Sequence, residues 1–138
     1  MPTPLAQSSG PIKIVAAMLN GKRMKGFTLD FSALRDKCRV FPSANAPASQ
    51  SQEIDLREAK AVFFVKEFEG MQGREAQPTS PGHGRKIEVT FLDGERLEGT
   101  TEGYNPQKLG FFMVPSDPSG NILRTFVINA NVKRARWL

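Results

Sequence analysis

The side chains that do chemistry are scarce in this chain. Its 138 residues include one histidine, one cysteine and one tryptophan. A single cysteine, Cys38, cannot close an internal disulfide, which suits a reducing compartment. One histidine and one cysteine cannot fill a Cys/His zinc site. His83 lies between Gly82 and Gly84, with no rigid neighbour to orient it as a base. Asp30, Asp36, Asp55 and Asp93 fall on turns and strands without paired spacing. Neither glycine-rich stretch lies between a strand and a helix, so no phosphate cradle is built. The expectation is a protein that is not an enzyme and holds no metal and no cofactor.

Long apolar runs are missing too. None approaches the roughly 18 to 20 residues that cross a bilayer. Residues 1–11 lack the positive and apolar regions of a signal peptide. A soluble, cytoplasmic protein with no membrane contact is expected. The formal charge is +5 with a pI of about 9.7, which favours acidic or polyanionic partners.

What the chain has is a repeat. Shifted by 73 positions, Lys13-Ile14 falls on Lys86-Ile87, Gly21 on Gly94, Arg23 on Arg96, Gly26 on Gly99, Thr28 on Thr101 and Pro42-Ser43 on Pro115-Ser116. Phe31 meets Tyr104, and Phe64 meets Trp137. The alignment needs no gap, which predicts an internal duplication. The intervening segment is rich in Gly, Pro and Ser without a period and reads as a linker. The expected domains are a disordered tail over 1–11, unit 1 over 12–66, a flexible linker over 67–85 and unit 2 over 86–138.

Within unit 2, Ile87, Val89 and Phe91 alternate with Glu88 and Thr90, as in a half-buried strand. Asp93-Gly94 follows and predicts a type I′ hairpin turn. A second strand is expected over 95–104, bent at Gly99, since interior glycine marks a bend or a close backbone approach. Three shorter strands follow, over 111–114, 125–129 and 132–138. No helical period appears. Five short strands in this order predict an all-β fold, with two tandem five-stranded SH3-like or Sm-like small barrels.

The turn glycine, second glycine and following aromatic (Gly21, Gly26, Phe31; Gly94, Gly99, Tyr104) resemble the spacing in Sm proteins. The RNA-binding residues of that family are not carried over. Its Asp position holds Ser32 and Asn105, and its Asn position holds Asp36 and Leu109. Its Arg-Gly region reads Ile54-Asp55-Leu56-Arg57 and Val127-Ile128-Asn129-Ala130. The phrases Ala61-Val62-Phe63-Phe64-Val65 and Gly110-Phe111-Phe112-Met113-Val114-Pro115 give the whole chain a resemblance to an uncharacterised bacterial family of duplicated small barrels. Some of its members stand beside regulatory signalling domains.

The two copies differ in an informative way. Where copy two has Glu88 and Thr90 on its first strand, copy one has Val15 and Ala17. Where copy two has Arg134 and Arg136 on its last strand, copy one has Ala61 and Phe63. Copy one should therefore present an apolar face of Val15, Ala17, Ala61, Phe63 and Val65, and a face of that kind needs a cover. The cover is copy two, whose third strand including Phe112 is apolar on both faces, or a second chain, or a foreign protein. A protein-binding regulatory or scaffolding module follows, its partner another protein or a second copy of itself. The alternative is a nucleic-acid-binding protein, Sm-like and directed to RNA, using Lys22, Arg23 and Lys25 on the first hairpin with Arg134 and Arg136 on the last strand.

Overall fold

The computed structural model describes residues 12–66, 84–116 and 122–138. The tail expected over 1–11 and most of the expected linker, His83 included, lie outside the described residues. The described residues form ten strands and three single 3-10 turns, with no α-helix. The strands are β1 (Ile12–Met18), β2 (Arg23–Thr28), β3 (Lys37–Val40), β4 (Gln52–Asp55), β5 (Ala59–Val65), β6 (Arg85–Phe91), β7 (Arg96–Thr101), β8 (Gly110–Pro115), β9 (Ile122–Ile128) and β10 (Val132–Trp137). β6 begins at Arg85, one residue before the expected start of unit 2.

Strand pairing repeats at the offset read from the sequence. Ile12↔Thr28 in β1–β2 returns as Arg85↔Thr101 in β6–β7. Cys38↔Ile54 in β3–β4 returns as Phe111↔Val127 in β8–β9. Phe63↔Val15 returns as Arg136↔Glu88, and even the irregular pair Met18↔Ala59 returns as Phe91↔Val132. The 3-10 turns Leu56–Glu58 and Asn129–Asn131 keep the same offset. Side chains alternate across a strand, so a shared register means shared inward and outward positions.

Neither sheet closes into a barrel. Eight strands form one antiparallel sheet in the order β10-β6-β7-β8-β9-β5-β1-β2, and β3 with β4 forms a separate hairpin. An isolated bridge, Phe27↔Phe41, ties that hairpin to β2. The halves are joined where β5 pairs with β9 through Ala61↔Val127, Val62↔Phe126 and Phe63↔Thr125. Cross-strand partners share a face, so this junction lays the inner face of one half against the outer face of the other. One core contains Ile14, Ala16, Cys38, Ile54, Val62 and Phe64 from the first half, with Phe126 and Ile128 from the second. The other contains Ile87, Val89, Phe91, Phe111, Met113 and Val127, with Ala61 from the first half. β5 and the Thr125–Ile128 stretch of β9 are thus buried on both faces and act as a wall shared by two cores.

The hairpins differ from the expected type I′. Among the described residues only Gly21 and Gly94 have positive φ, at 89° and 93°, and no other residue type does. The Gly94 amide donates to the Phe91 carbonyl at 2.9 Å, and the Phe91 amide donates to that of Glu95 at 2.8 Å. This is a tight turn ending in a left-handed glycine, the bulged three-residue hairpin rather than the two-residue one. Asn20 and Asp93 complete their turns alike, accepting from the amides of Lys22 at 2.9 Å and Glu95 at 3.0 Å.

The second strands are also shorter than expected: β7 stops at Thr101. Gly26 and Gly99 lie inside them without positive φ, so a close approach requires these glycines. A Cβ on Gly26 would stand 2.6 Å from the Phe41 carbonyl oxygen, and one on Gly99 would meet the Val114 carbonyl oxygen. Backbone cannot yield as a side chain can, so Gly26→Val and Gly99→Val are each expected to destabilise by about 1–3 kcal/mol. Chemical denaturation checks this, with Gly103→Val as a control, since nothing lies within 4 Å of a Cβ there.

Candidate functional site

The apolar face expected of the first half is covered. Val15 and Ala17 are 7% and 3% exposed, Ala61 is fully buried and Val65 is buried. Ala61 and the half-buried Phe63 pack with the core of the second half. Phe112 is half-buried and packs against the core of the first half. The six interface candidates therefore lie in or beside the junction of the halves rather than on an open docking surface. Two polar ties cross the same junction. Lys60 Nζ donates to Asp93 Oδ2 at 2.7 Å and also to Glu95 Oε1. Asn131 Nδ2 donates to the carbonyls of Arg57 at 2.9 Å and Ala59 at 2.7 Å.

The basic candidates do not come together. Lys22, Arg23 and Lys25 are exposed at β2, one end of the eight-stranded sheet, whereas Arg134 and Arg136 are exposed on β10, the other end. Arg23 lies over the Phe63 ring at 6.0 Å. Arg136 pairs with Glu88 at 3.1 Å. Gly21, Gly26, Gly94 and Gly99 serve the backbone, as above. Cys38 is buried in the first core, and burial with the nearby Asp30 charge pushes its thiol up to about 11. At neutral pH it is a protonated core side chain. Among the described residues no cluster of His, Cys, Asp or Glu could hold a metal ion, and no helix is long and apolar enough to cross a membrane.

The open site is elsewhere. A groove of about 510 Å³ runs where the β2–β3 connection of the first half meets β7 and β8 of the second. Leu34, Phe112, Val114 and Arg124 line it, together with Glu102 and Lys108. Leu34 is 86% exposed there and Val114 is exposed as well. Beneath lies an aromatic cluster: Phe31 meets Phe64 edge-on at 5.1 Å and Phe126 at 5.2 Å, and Phe112 lies 4.9 Å from Phe126. Arg124 is held over two of these rings, 4.7 Å from the centroid of Phe64 and 4.3 Å from that of Phe112. The rings strip water from one side of the guanidinium and draw its pKa below the usual arginine range. No carboxylate among the described residues pairs with Arg124. A planar guanidinium flanked by rings keeps its N–H edge free for a carboxylate or phosphate.

Sequence reasoning passed over Arg124 because it is a lone charge, not part of a basic run. Its signal was phase. It alternates with Phe126 and Ile128, so it projects from the face that feeds the first core, where an arginine is out of place.

No curated protein matches the chain, and no solved structure does. A family model matches residues 10–138, all but the first nine residues. The chain belongs to the family of unknown function DUF6982.

Proposed function

We propose that this protein is a non-enzymatic, protein-binding module with a regulatory or scaffolding role in the bacterial cytoplasm. We read it as two SH3-like or Sm-like units that arose by duplication and were then fused at their edges. The repeated registers support the duplication. The strand order fifth, first, second, third, fourth within the second half supports the likeness of the unit. The observation that carries the binding function is Arg124, stacked on Phe64 and Phe112 beside the groove lined by Leu34 and Val114 and without a carboxylate partner among the described residues. The ligand chemistry that fits is a protein segment offering an acidic side chain next to apolar ones. Interfaces favour such arginine and aromatic anchors.

Nucleic-acid binding is the second reading, favoured by the exposure of Lys22, Arg23 and Lys25 together on one hairpin. Because Lys22, Arg23 and Lys25 lie far along the sheet from Arg134 and Arg136, that binding would rest on phosphate contacts and fall steeply with salt.

An affinity capture with and without nuclease separates the two. The expected result is a protein partner that survives nuclease and is lost with Arg124→Glu, at a cost to affinity of about 2–5 kcal/mol, while the melting temperature stays near that of the parent. Recovery of RNA that resists high salt and is indifferent to Arg124→Glu would overturn the reading.

A further inference from the structure

We infer that the two outer ends of the molecule are closed to copies of itself, so that the β5–β9 junction forms once within a chain and does not propagate between chains. Among the described residues β10 pairs only with β6, and β4 only with β3. Each therefore ends its sheet on an edge with unpaired backbone groups, a ready template for another strand. They are also the strands that stand 73 residues from the two partners of the internal junction, β5 and β9. A second copy could in principle add β4 to β10 by the same register. Ala61↔Val127, Val62↔Phe126 and Phe63↔Thr125 would then become Arg134↔Ile54, Ala135↔Glu53 and Arg136↔Gln52. Such a contact is head to tail and has no inherent end.

The side chains forbid it at each point where the internal junction gains. Ala61 is fully buried in the second core, and Arg134 would take its place. Phe126 and Ile128 are fully buried in the first core, and Glu53 and Asp55 would take theirs. Phe112 would be replaced by Arg39. Arg134 and Glu53 belong to successive pairs of the register and so point to opposite faces. They would enter two separate cores and could not neutralise one another, and an unpaired buried charge is the costliest thing a core can hold. The polar ties invert as well. Lys60, paired with Asp93 and Glu95, becomes Lys133 facing Asn20 and Lys22. Asn131, donating to two carbonyls, becomes Glu58, an acceptor facing acceptors. Terminal units of repeat proteins are made polar for the same reason.

The test restores one end at a time in the full chain. Variant one carries Arg134→Ala with Arg136→Phe. Variant two carries Lys22→Glu, Glu53→Phe, Asp55→Ile and Glu58→Asn. Light scattering should give each variant alone the mass of the parent. The equimolar mixture should give double that mass and stop there, because each variant has only one opened end. Two variants that melt like the parent and yet do not associate on mixing would overturn the inference. A second measurement needs only two mild changes in the parent. Glu53→Cys with Ala135→Cys places thiols opposite one another in the forbidden register. Under oxidation no ladder of linked chains should appear beyond that of Cys38 alone, and a ladder would show that the ends are open.

Discussion

Phe126→Ala should lower stability by about 3–5 kcal/mol, and the damage should surface in the half of the molecule that does not contain Phe126. The residue is in β9, yet its ring is fully buried in the first core, 5.2 Å from Phe31 and together with Cys38. Cys38 makes the effect visible, since it is the only thiol in the chain. In the parent protein it is shielded twice. It is 1% exposed, and burial holds its pKa near 11, so little reactive thiolate exists at neutral pH. Labelling must wait for the first core to open. If opening is a fast equilibrium, a loss of 3–5 kcal/mol raises the open fraction by roughly 10²-fold or more. The labelling rate of Cys38 should rise by that factor, alongside a matching shift in the urea midpoint. An unchanged labelling rate in a destabilised variant would mean that Phe126 does not hold the first core shut and that β9 does not tie the two halves together there.

That coupling was not legible in the sequence, for a physical reason. Alternation, turn residues and the 73-residue offset are local or self-referential signals, and they identify strands, hairpins and equivalent positions. The pairing of β5 with β9 leaves no such mark, because neither strand's own pattern says which foreign edge it will meet. What could be read was the need for a cover. Val15, Ala17, Ala61 and Phe63 are apolar where Glu88, Thr90, Arg134 and Arg136 stand in the other copy, and that difference alone implied a hidden face. Which surface hides Ala61 and Phe63 took the structure to decide. The turns failed for a different reason. Asp-Gly is shared by hairpin types that differ by one residue of loop, and only the backbone φ of Asp93 and Gly94 separates them. The sequence places Gly26 and Gly99 at the bend of a long second strand, and what the structure adds is the close approach of the Phe41 and Val114 carbonyls at these glycines. Arg124 escaped because a single charge in an apolar strand resembles a solvated edge until its phase with Phe126 and Ile128 is followed.

The largest contrast is expected between two substitutions 73 residues apart. Ala61→Arg and Arg134→Ala exchange the same two residue types at corresponding positions of β5 and β10. Ala61 is fully buried between the strands of the junction and packs with Val127 and the second core. An arginine there must either bury its guanidinium without a carboxylate or force β5 away from β9. Leaving a charge uncompensated in a core costs about 3–5 kcal/mol, a large share of the roughly 5–15 kcal/mol that holds a domain of this size. Because β5 serves both cores, the variant should lose both at once. It should melt far below the parent, in a single broadened transition by circular dichroism. Arg134, by contrast, is exposed on an edge strand, and no ion pair involving it is among the described contacts. Arg134→Ala should therefore change stability by no more than about 0.5 kcal/mol. The pair isolates environment from residue type: were Ala61→Arg as mild as Arg134→Ala, β5 would not be the buried wall on which both cores and the closed ends depend.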